Sequence, residues 1–400
     1  MKIAICFAQF GPYHHARVRA LQEASEATVV PLQLADATCT YAWESHVNPC
    51  DGLRTLCEGH YEKLSPLRVF FRAFRFFRHE TISAALLPSY APASETALFL
   101  AAKFAGVRCV MMNESHAGTE RARGWKKWVK LRLVRRFNSA LVGGTPQKRY
   151  FTQLGLPEHA IFTGYDAIDN SYFEEQAARL RSNPSGPGIQ LGLPDRYFLS
   201  LGRMVKKKNL PCLLEAYACF ADKMLQRADT VNIPALVFVG SGPEEDTLRR
   251  QCERLSLNLI DAVGSTPEPN SNQPPSVYFY GFRQITENPV FYSLAEAFIL
   301  PSLWEEWGLV VNEAMASGLP VIVSETAGSA ADLVHEGENG YTFAPTSSDA
   351  LAICLEKIAA NPTRRKAMAQ KSNSIIQDWG CENFANNALA AVEHAMKAGK

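Results

Sequence analysis

The sequence predicts an α/β protein of two successive domains, each an open sheet of parallel strands interleaved with helices. Three observations carry this reading. The chain has 400 residues, more than the roughly 250–300 that one hydrophobic core usually fills. Short apolar runs alternate with helical stretches, the pattern of parallel βα units. That alternation is interrupted once, by the Pro- and Gly-rich stretch at 183–188, and then restarts. Hydrophobic residues make up 47% and charged residues 20%, which excludes a disordered, collagenous or coiled-coil chain.

The elements follow in order. Residues 3–7 read as a buried strand running into the loop Gln9-Phe10-Gly11-Pro12. A helix over 17–26 and a strand over 28–34 come next. Helices at 97–104 and 126–137 then alternate with strands at 107–112 and 139–142. The linker lies within 175–195, so the first domain is assigned to 1–175 and the second to 190–382. In the second, strands are expected at 197–201, 235–239, 277–280, 297–300 and 320–323, with helices at 210–220 and 244–255. The polar, proline-rich stretch 264–275 reads as a surface insertion. Open sheets of this kind bind ligands at the carboxyl ends of their strands, so two such units predict a cleft between them.

Charge and cysteines narrow the functional classes. A net charge of +1 excludes a global polyanion binder, so no nucleic-acid partner is expected. The apolar run after Lys2 is too short for a secretory leader, and no apolar run approaches the ~20 residues of a membrane span. The ten cysteines contain no CxxC pair. Cys6 and Cys109 sit in apolar settings and read as buried free thiols of a reducing, cytoplasmic compartment. No His/Cys spacing suggests zinc, and no Asp-x-Asp occurs; no metal and no cofactor is expected.

Three segments of the second half carry chemistry. In Gly202-Arg203-Met204-Val205-Lys206-Lys207-Lys208-Asn209, cations leave the end of a strand and suit a diphosphate, Arg as a planar fork and Lys as a point charge. A solvated loop is the alternative. Val239-Gly240-Ser241-Gly242-Pro243 either lets backbone approach a ligand or is a tight turn; it lacks the third glycine of a dinucleotide fingerprint. The sharpest segment runs from Pro301 to Pro320. Glu305 lies before a helix that begins near Gly308, and Glu313 lies inside it, two carboxylates able to accept from sugar hydroxyls, with a pair of ordinary surface glutamates the alternative. The first-turn amides near Trp307, Gly308, Leu309 and Val310 form an anion site.

Taken together, Gly202-Arg203 with Lys208-Asn209, Gly240-Ser241-Gly242-Pro243, Tyr280-Gly281-Phe282 and Glu305-x7-Glu313 running on to Ala314-Met315-Ala316 resemble the retaining GT-B glycosyltransferases classified as family 4. The resemblance is most specific over 197–343. It implies two Rossmann-like domains facing each other across a cleft, with the nucleotide-sugar donor in the second. By this resemblance Arg203 and Lys208 hold the donor diphosphate, Glu313 the ribose hydroxyls and Glu305 the transferred sugar. The amides of 307–309 line sugar and phosphates, and the backbone of Phe282 and Arg283 faces the base. Trp307, where the family commonly has Phe, is expected to reshape the donor pocket. UDP is the favoured nucleotide, GDP or ADP the alternative, with retention of configuration and a hydroxyl acceptor. The Ala-rich helical tail 383–400 is expected to pack back on the first domain.

The first half is expected to bind the acceptor, through Gly11, His14 and His15 after the first strand and through Glu114 and His116 after another. His116 or Glu114 orients the nucleophilic hydroxyl or relays its proton; a hydrogen-bonded loop histidine is the alternative. Two basic aromatic segments, 68–78 and 121–136, either meet an anionic membrane surface at its inner face or are amphipathic helices with solvated cations. A GT-B nucleotide-sugar epimerase remains the competing reading, separable by product analysis without acceptor.

Overall fold

The computed structural model describes residues 1–39, 49–182, 190–227, 233–263 and 275–398. The predicted linker at 183–188 and all but the last residue of the insertion at 264–275 lie outside these. The described residues form two compact units, Met1–Asp169 with Trp379–Lys400, and Asn170–Asp378.

The first unit is built on a parallel sheet of order β3-β2-β1-β4-β5-β6-β7. Its strands are β1 (Lys2–Phe7), β2 (Thr28–Ala37), β3 (Arg54–His60), β4 (Ala84–Leu87), β5 (Arg108–Asn113), β6 (Ser139–Val142) and β7 (Ile161–Phe162). Covered on both faces, the central strands read as unbroken apolar runs. Three strands escape a pattern reading, one of them the two-residue β7. β3 lies at the sheet edge and is largely exposed, with the polar sequence RTLCEGH; β4 is four residues of Ala and Leu, which favour helix by intrinsic propensity. All ten cysteines are free. Burial pushes the Cys109 thiol up to about 12 and Cys6 higher still, as inert core thiols require.

The chain's last described helix, Cys381–Lys397, lays Phe384, Ala385, Ala388, Ala391, Val392 and Ala395 into the cluster of Ile3, Ile5, Leu21, Val110 and Leu141. Ser139 Oγ donates to Ala391 O at 2.7 Å. Small residues every three or four positions let this helix approach the sheet closely.

The second unit holds a parallel sheet of order β10-β11-β9-β8-β12-β13-β14. Its strands are β8 (Tyr197–Leu201), β9 (Ala235–Val239), β10 (Asn258–Asp261), β11 (Ser276–Phe279), β12 (Ala297–Leu300), β13 (Val321–Ser324) and β14 (Gly340–Phe343). The helices Leu210–Gln226 and Ser348–Ala359 bury Leu213, Leu214, Tyr217, Phe220, Leu351 and Leu355 together against it. The helix Asn170–Ser182 also belongs here, so the first unit ends at 169 instead of the 175 read from composition, and the second ends at 378 instead of 382. Side-chain chemistry explains the shift. Asn170 Nδ2 donates to Ile376 O at 2.7 Å, Phe173 packs edge-on against Tyr292, and Arg181 donates to the carbonyls of Ser293 and Ser317 at 2.8 and 2.6 Å.

Among the described residues no helix is long and apolar enough to cross a membrane.

Because Phe384 is wholly buried, Phe384→Ala is expected to destabilise the first unit by about 3–5 kcal/mol. Urea unfolding followed by circular dichroism checks this, and a parent-like midpoint would contradict the packing described.

Candidate functional site

Four loops leave adjacent strand ends of the second sheet and are tied together through their backbones. Gly202 N donates to Val239 O at 2.9 Å, Met204 N to Ser241 O at 2.8 Å, Gly240 N to Gly281 O at 2.7 Å and Leu303 N to Lys207 O at 2.8 Å. A Cβ on Gly240 would stand 2.0 Å from Gly202 O, and one on Gly242 2.4 Å from Met204 O. Both glycines therefore answer a need for close contact between two stretches of backbone. Asn209 adds a clip. It adopts the left-handed conformation that Asn tolerates (φ +54°) and its amide donates to Pro301 O and Pro345 O at 3.2 and 2.8 Å.

On this frame the cationic loop after β8 meets the acidic loop after β12. Lys207 Nζ pairs with Glu305 Oε1 at 2.8 Å and Glu306 Oε2 at 2.9 Å. Lys208 Nζ pairs with Glu305 Oε2, which also accepts from Ser302 Oγ at 3.2 Å. Glu305 is 7% exposed. Burial works to raise its pKa, but Lys208 and Lys207 outweigh it and hold the carboxyl below the ordinary value. Burial likewise opposes the charge on Lys207, and Glu305 and Glu306 reverse that, raising its pKa. Of the three consecutive lysines, 207 and 208 are thus engaged while Lys206 is exposed. The run Lys206-Lys207-Lys208 leaves the choice of phosphate lysine open in the sequence, and no motif singles out Ser302.

Arg203 is exposed, and its guanidinium makes no hydrogen bond or ion pair among the described residues; only its backbone carbonyl is engaged, accepting from Val205 N at 3.0 Å. Arg203 lines, with Gly202, Met204, Lys208, Leu300 and Pro301, a small, partly open depression. Arg203 and Lys208 therefore present positive charge to one small space, the geometry an oxyanion needs.

The helix Leu309–Ala316 starts just after Gly308. Its first-turn amides of Leu309 and Val310 donate to nothing among the described residues, leaving anion-binding donors. Glu313 sits deeper, 1% exposed, within 3.4 Å of Asn288 Nδ2. Asn288 Oδ1 is buried with no partner among the described residues; no motif flags this residue. The Trp307 ring is fully buried, and its Nε1 donates to Asn312 Oδ1 at 2.9 Å. Phe282 is exposed, while Arg283 pairs with Glu287 at 3.3 Å.

In the first unit, polar groups gather after β1, β4 and β5. Gly11 caps the helix Pro12–Ala24, its N–H donating to His14 Nδ1 at 3.0 Å. Burial first, then Arg17 and His15, hold His14 far below the ordinary histidine range, so its ring is neutral. His15 is buried and its Nδ1 accepts from Cys50 N at 3.1 Å. His116, also buried, accepts from Gly118 N at 3.2 Å. Glu114 hydrogen-bonds Asp166, which burial pushes up to about 7 against the pull of Arg17 and Glu114 itself. The sequence pattern missed Glu95, raised by burial to about 8 and bonded by Tyr61 OH at 2.7 Å. It also counted Lys130 among the solvated cations; that ammonium is buried against Glu120 at 2.9 Å and over the Tyr90 ring.

Since Glu305 has a depressed folded-state pKa, its pairing contributes stability present above the ordinary carboxylate value and lost as pH falls through the folded value. Glu305→Gln is expected to flatten the loss of stability below about pH 5. Chemical melts across that range check it; an unchanged acid limb would show that the lysine pairing contributes nothing.

Comparison with known proteins places these loops. Residues 189–374 match the family described as Glycosyl transferases group 1. An uncharacterized glycosyltransferase of Haemophilus influenzae is 28% identical over 192 residues, 48% of this chain and 47% of that protein. The alpha-monoglucosyldiacylglycerol synthase of Streptococcus pneumoniae is 30% identical over 167 residues, 42% of this chain and 32% of that protein. The matched stretch thus spans half or less of the length of these curated relatives. Among solved structures, Anabaena HepE in complex with UDP superposes with a TM-score of 0.71 at 18% identity, covering 98% of this chain and 100% of that one. Such a likeness fixes the fold as GT-B. The loops just described, from Gly202 to Glu313, all lie inside the stretch 189–374 that matches the Glycosyl transferases group 1 family.

Proposed function

We propose that this chain is a retaining, metal-independent glycosyltransferase of family 4 type. It moves a sugar from a nucleoside-diphosphate donor, UDP-linked before GDP or ADP, to a hydroxyl of a glycan, lipid-linked or small-molecule acceptor. The observation that carries this reading is the shared depression lined by Arg203 and Lys208, joined through the Lys208–Glu305 ion pair to the acidic loop. The solved complexes of HepE with UDP and with UDP-glucose support the donor class.

The chemistry follows from charge. As the glycosyl bond to the diphosphate breaks, negative charge grows on the departing phosphate and positive charge on the sugar. Arg203, Lys208 and the amides of Leu309 and Val310 meet the former with preorganised positive charge, each such contact worth about 3 kcal/mol. These groups supply the countercharge that a metal ion supplies elsewhere. Glu313 accepts from the ribose hydroxyls, with the unpartnered Asn288 Oδ1 beside it as a second acceptor. Glu305 is set by Lys207 and Lys208 to touch the transferred sugar. Gly240, Gly242 and the backbone at Phe282 and Arg283 border the nucleotide. In the first unit His116 and Glu114 are assigned to the acceptor hydroxyl, with Gly11, His14 and His15 shaping the loop beside it.

Arg203→Ala and Glu313→Ala are each expected to lower donor-dependent turnover by about 10²–10³-fold in protein that stays folded. UDP-sugars are expected to raise the melting temperature of the parent more than GDP- or ADP-sugars. Full activity in both variants would remove the site assignment. Epimerised donor formed without acceptor would replace transfer by isomerisation.

We further propose that the protein is cytoplasmic and meets an anionic membrane surface peripherally. Trp125 and Trp128 are 72% and 56% exposed, flanked by exposed Arg121, Arg123, Lys126, Lys127, Arg132, Arg135 and Arg136. Interfacial Trp rings and clustered cations are the features such surfaces attract. Pelleting with phosphatidylserine vesicles at low salt is expected, weakened by Trp125→Ala with Trp128→Ala and by added salt. Recovery of all the protein in the supernatant would remove this contact.

A further inference from the structure

The outer edge of the first sheet brings together three side chains that the sequence keeps apart. β2 and β3 pair in parallel with Ala35 opposite Cys57, but Ala37 opposite His60. One extra residue in β3 is absorbed there, with Gly59 at φ +99° and its N–H on Asp36 Oδ1 at 2.7 Å. An insertion of this kind changes which side chains share a face. Its result is that Cys39, just past β2, meets His60 at the end of β3 and Glu62 in the turn that follows. Cys39 Sγ lies 3.4 Å from His60 Nδ1, and one ligand atom from each of Cys39, His60 and Glu62 lies within 4.8 Å of the others. The Glu62 carboxylate is held in place by Cys39 N at 3.1 Å and by Thr38 Oγ1 at 2.5 Å.

We propose that Cys39, His60 and Glu62 form a transition-metal site, with Zn²⁺ the preferred ion. Thiolate, imidazole and carboxylate together are a zinc donor set. With Zn–S of ~2.3 Å and Zn–N of ~2.0–2.1 Å, a tetrahedral S···N edge is about 3.6 Å, close to the separation found. Three protein ligands leave the fourth position to water or another donor. All three side chains are exposed, so the ion has direct entry from solvent, and the thiol gives up its proton on binding. The bound ion would pin β3, an edge strand held by one neighbour, to the end of β2. The site lies in the first unit and does not rest on the glycosyltransferase reading.

Cobalt is the probe. Titrating reduced, metal-free protein with Co²⁺ is expected to give one equivalent with thiolate-to-metal charge-transfer absorption, displaced by Zn²⁺. Cys39→Ser is expected to abolish that absorption. Cys39→Ser and His60→Ala are each expected to weaken Zn²⁺ affinity, read by competition with a chromophoric chelator, by at least about tenfold. Zn²⁺ is also expected to raise the parent's melting temperature and not that of either variant. No stoichiometric uptake by the parent, or uptake unchanged in both variants, overturns the proposal. Because the three side chains are solvent-exposed, the variants are expected to keep the parent's circular dichroism.

Discussion

The arrangement of the second unit turns on a buried carboxylate that must be paired. Glu305 is almost removed from water, where an unpaired charge would cost several kcal/mol. Lys207 and Lys208 from the neighbouring loop meet that requirement from two sides. The pairing fixes where the cationic loop ends, and therefore where the Lys208 side chain stands relative to Arg203. It also fixes the segment that delivers the chain to the helix Leu309–Ala316. One electrostatic constraint thus sets the positions of the cations, the open amides and the second carboxylate together.

The glycines make that constraint attainable. The loops after β8 and β9 touch backbone to backbone, at distances where any Cβ on Gly240 would overlap the Gly202 carbonyl. With side chains there, the loop carrying Arg203 and the lysines would be lifted from the sheet. Asn209 and Asn288 complete the frame in different ways, the first by clipping two loops through its amide, the second by leaving a buried carbonyl oxygen unmatched beside Glu313. A buried polar atom without a partner carries a free-energy cost, which binding of a hydroxyl would relieve.

The first unit follows a different electrostatic regime. Its ionisable groups lie in mixed company: Asp166 with Arg17 and Glu114, Glu95 with Tyr61, Lys130 with Glu120 and Tyr150. Burial raises the carboxyls at Asp166 and Glu95 toward neutrality, so protons can be held and exchanged there near physiological pH. The histidines offer less. His14 and His15 are bound into the capping of the first helix and the segment at Cys50, which limits what they can give to a ligand.

Local chemistry is what a sequence states directly, and here it was enough for the α/β alternation, most strands of both sheets, and the four loops that carry Arg203, Gly240, Glu305 and Glu313. Buried strands flanked by turn residues announce themselves because their apolar runs are continuous. The polar edge strand β3 and the Ala-rich β4 do not, since only their neighbours make them strands. Nor does spacing alone say that Lys207 shares Glu305 with Lys208, that the Trp307 indole turns inward, or that Lys130 is buried in a run of solvated cations. The boundary at 169 instead of 175 was likewise decided by Phe173 and Arg181 finding partners more than a hundred residues away. Cys39 and His60 are the plainest case: their 21-residue separation matches no metal motif, and only a one-residue shift in strand pairing brings them together. Periodicity and turn chemistry are properties of neighbouring residues, whereas pairing, burial and register are set by which distant segments the fold brings into contact.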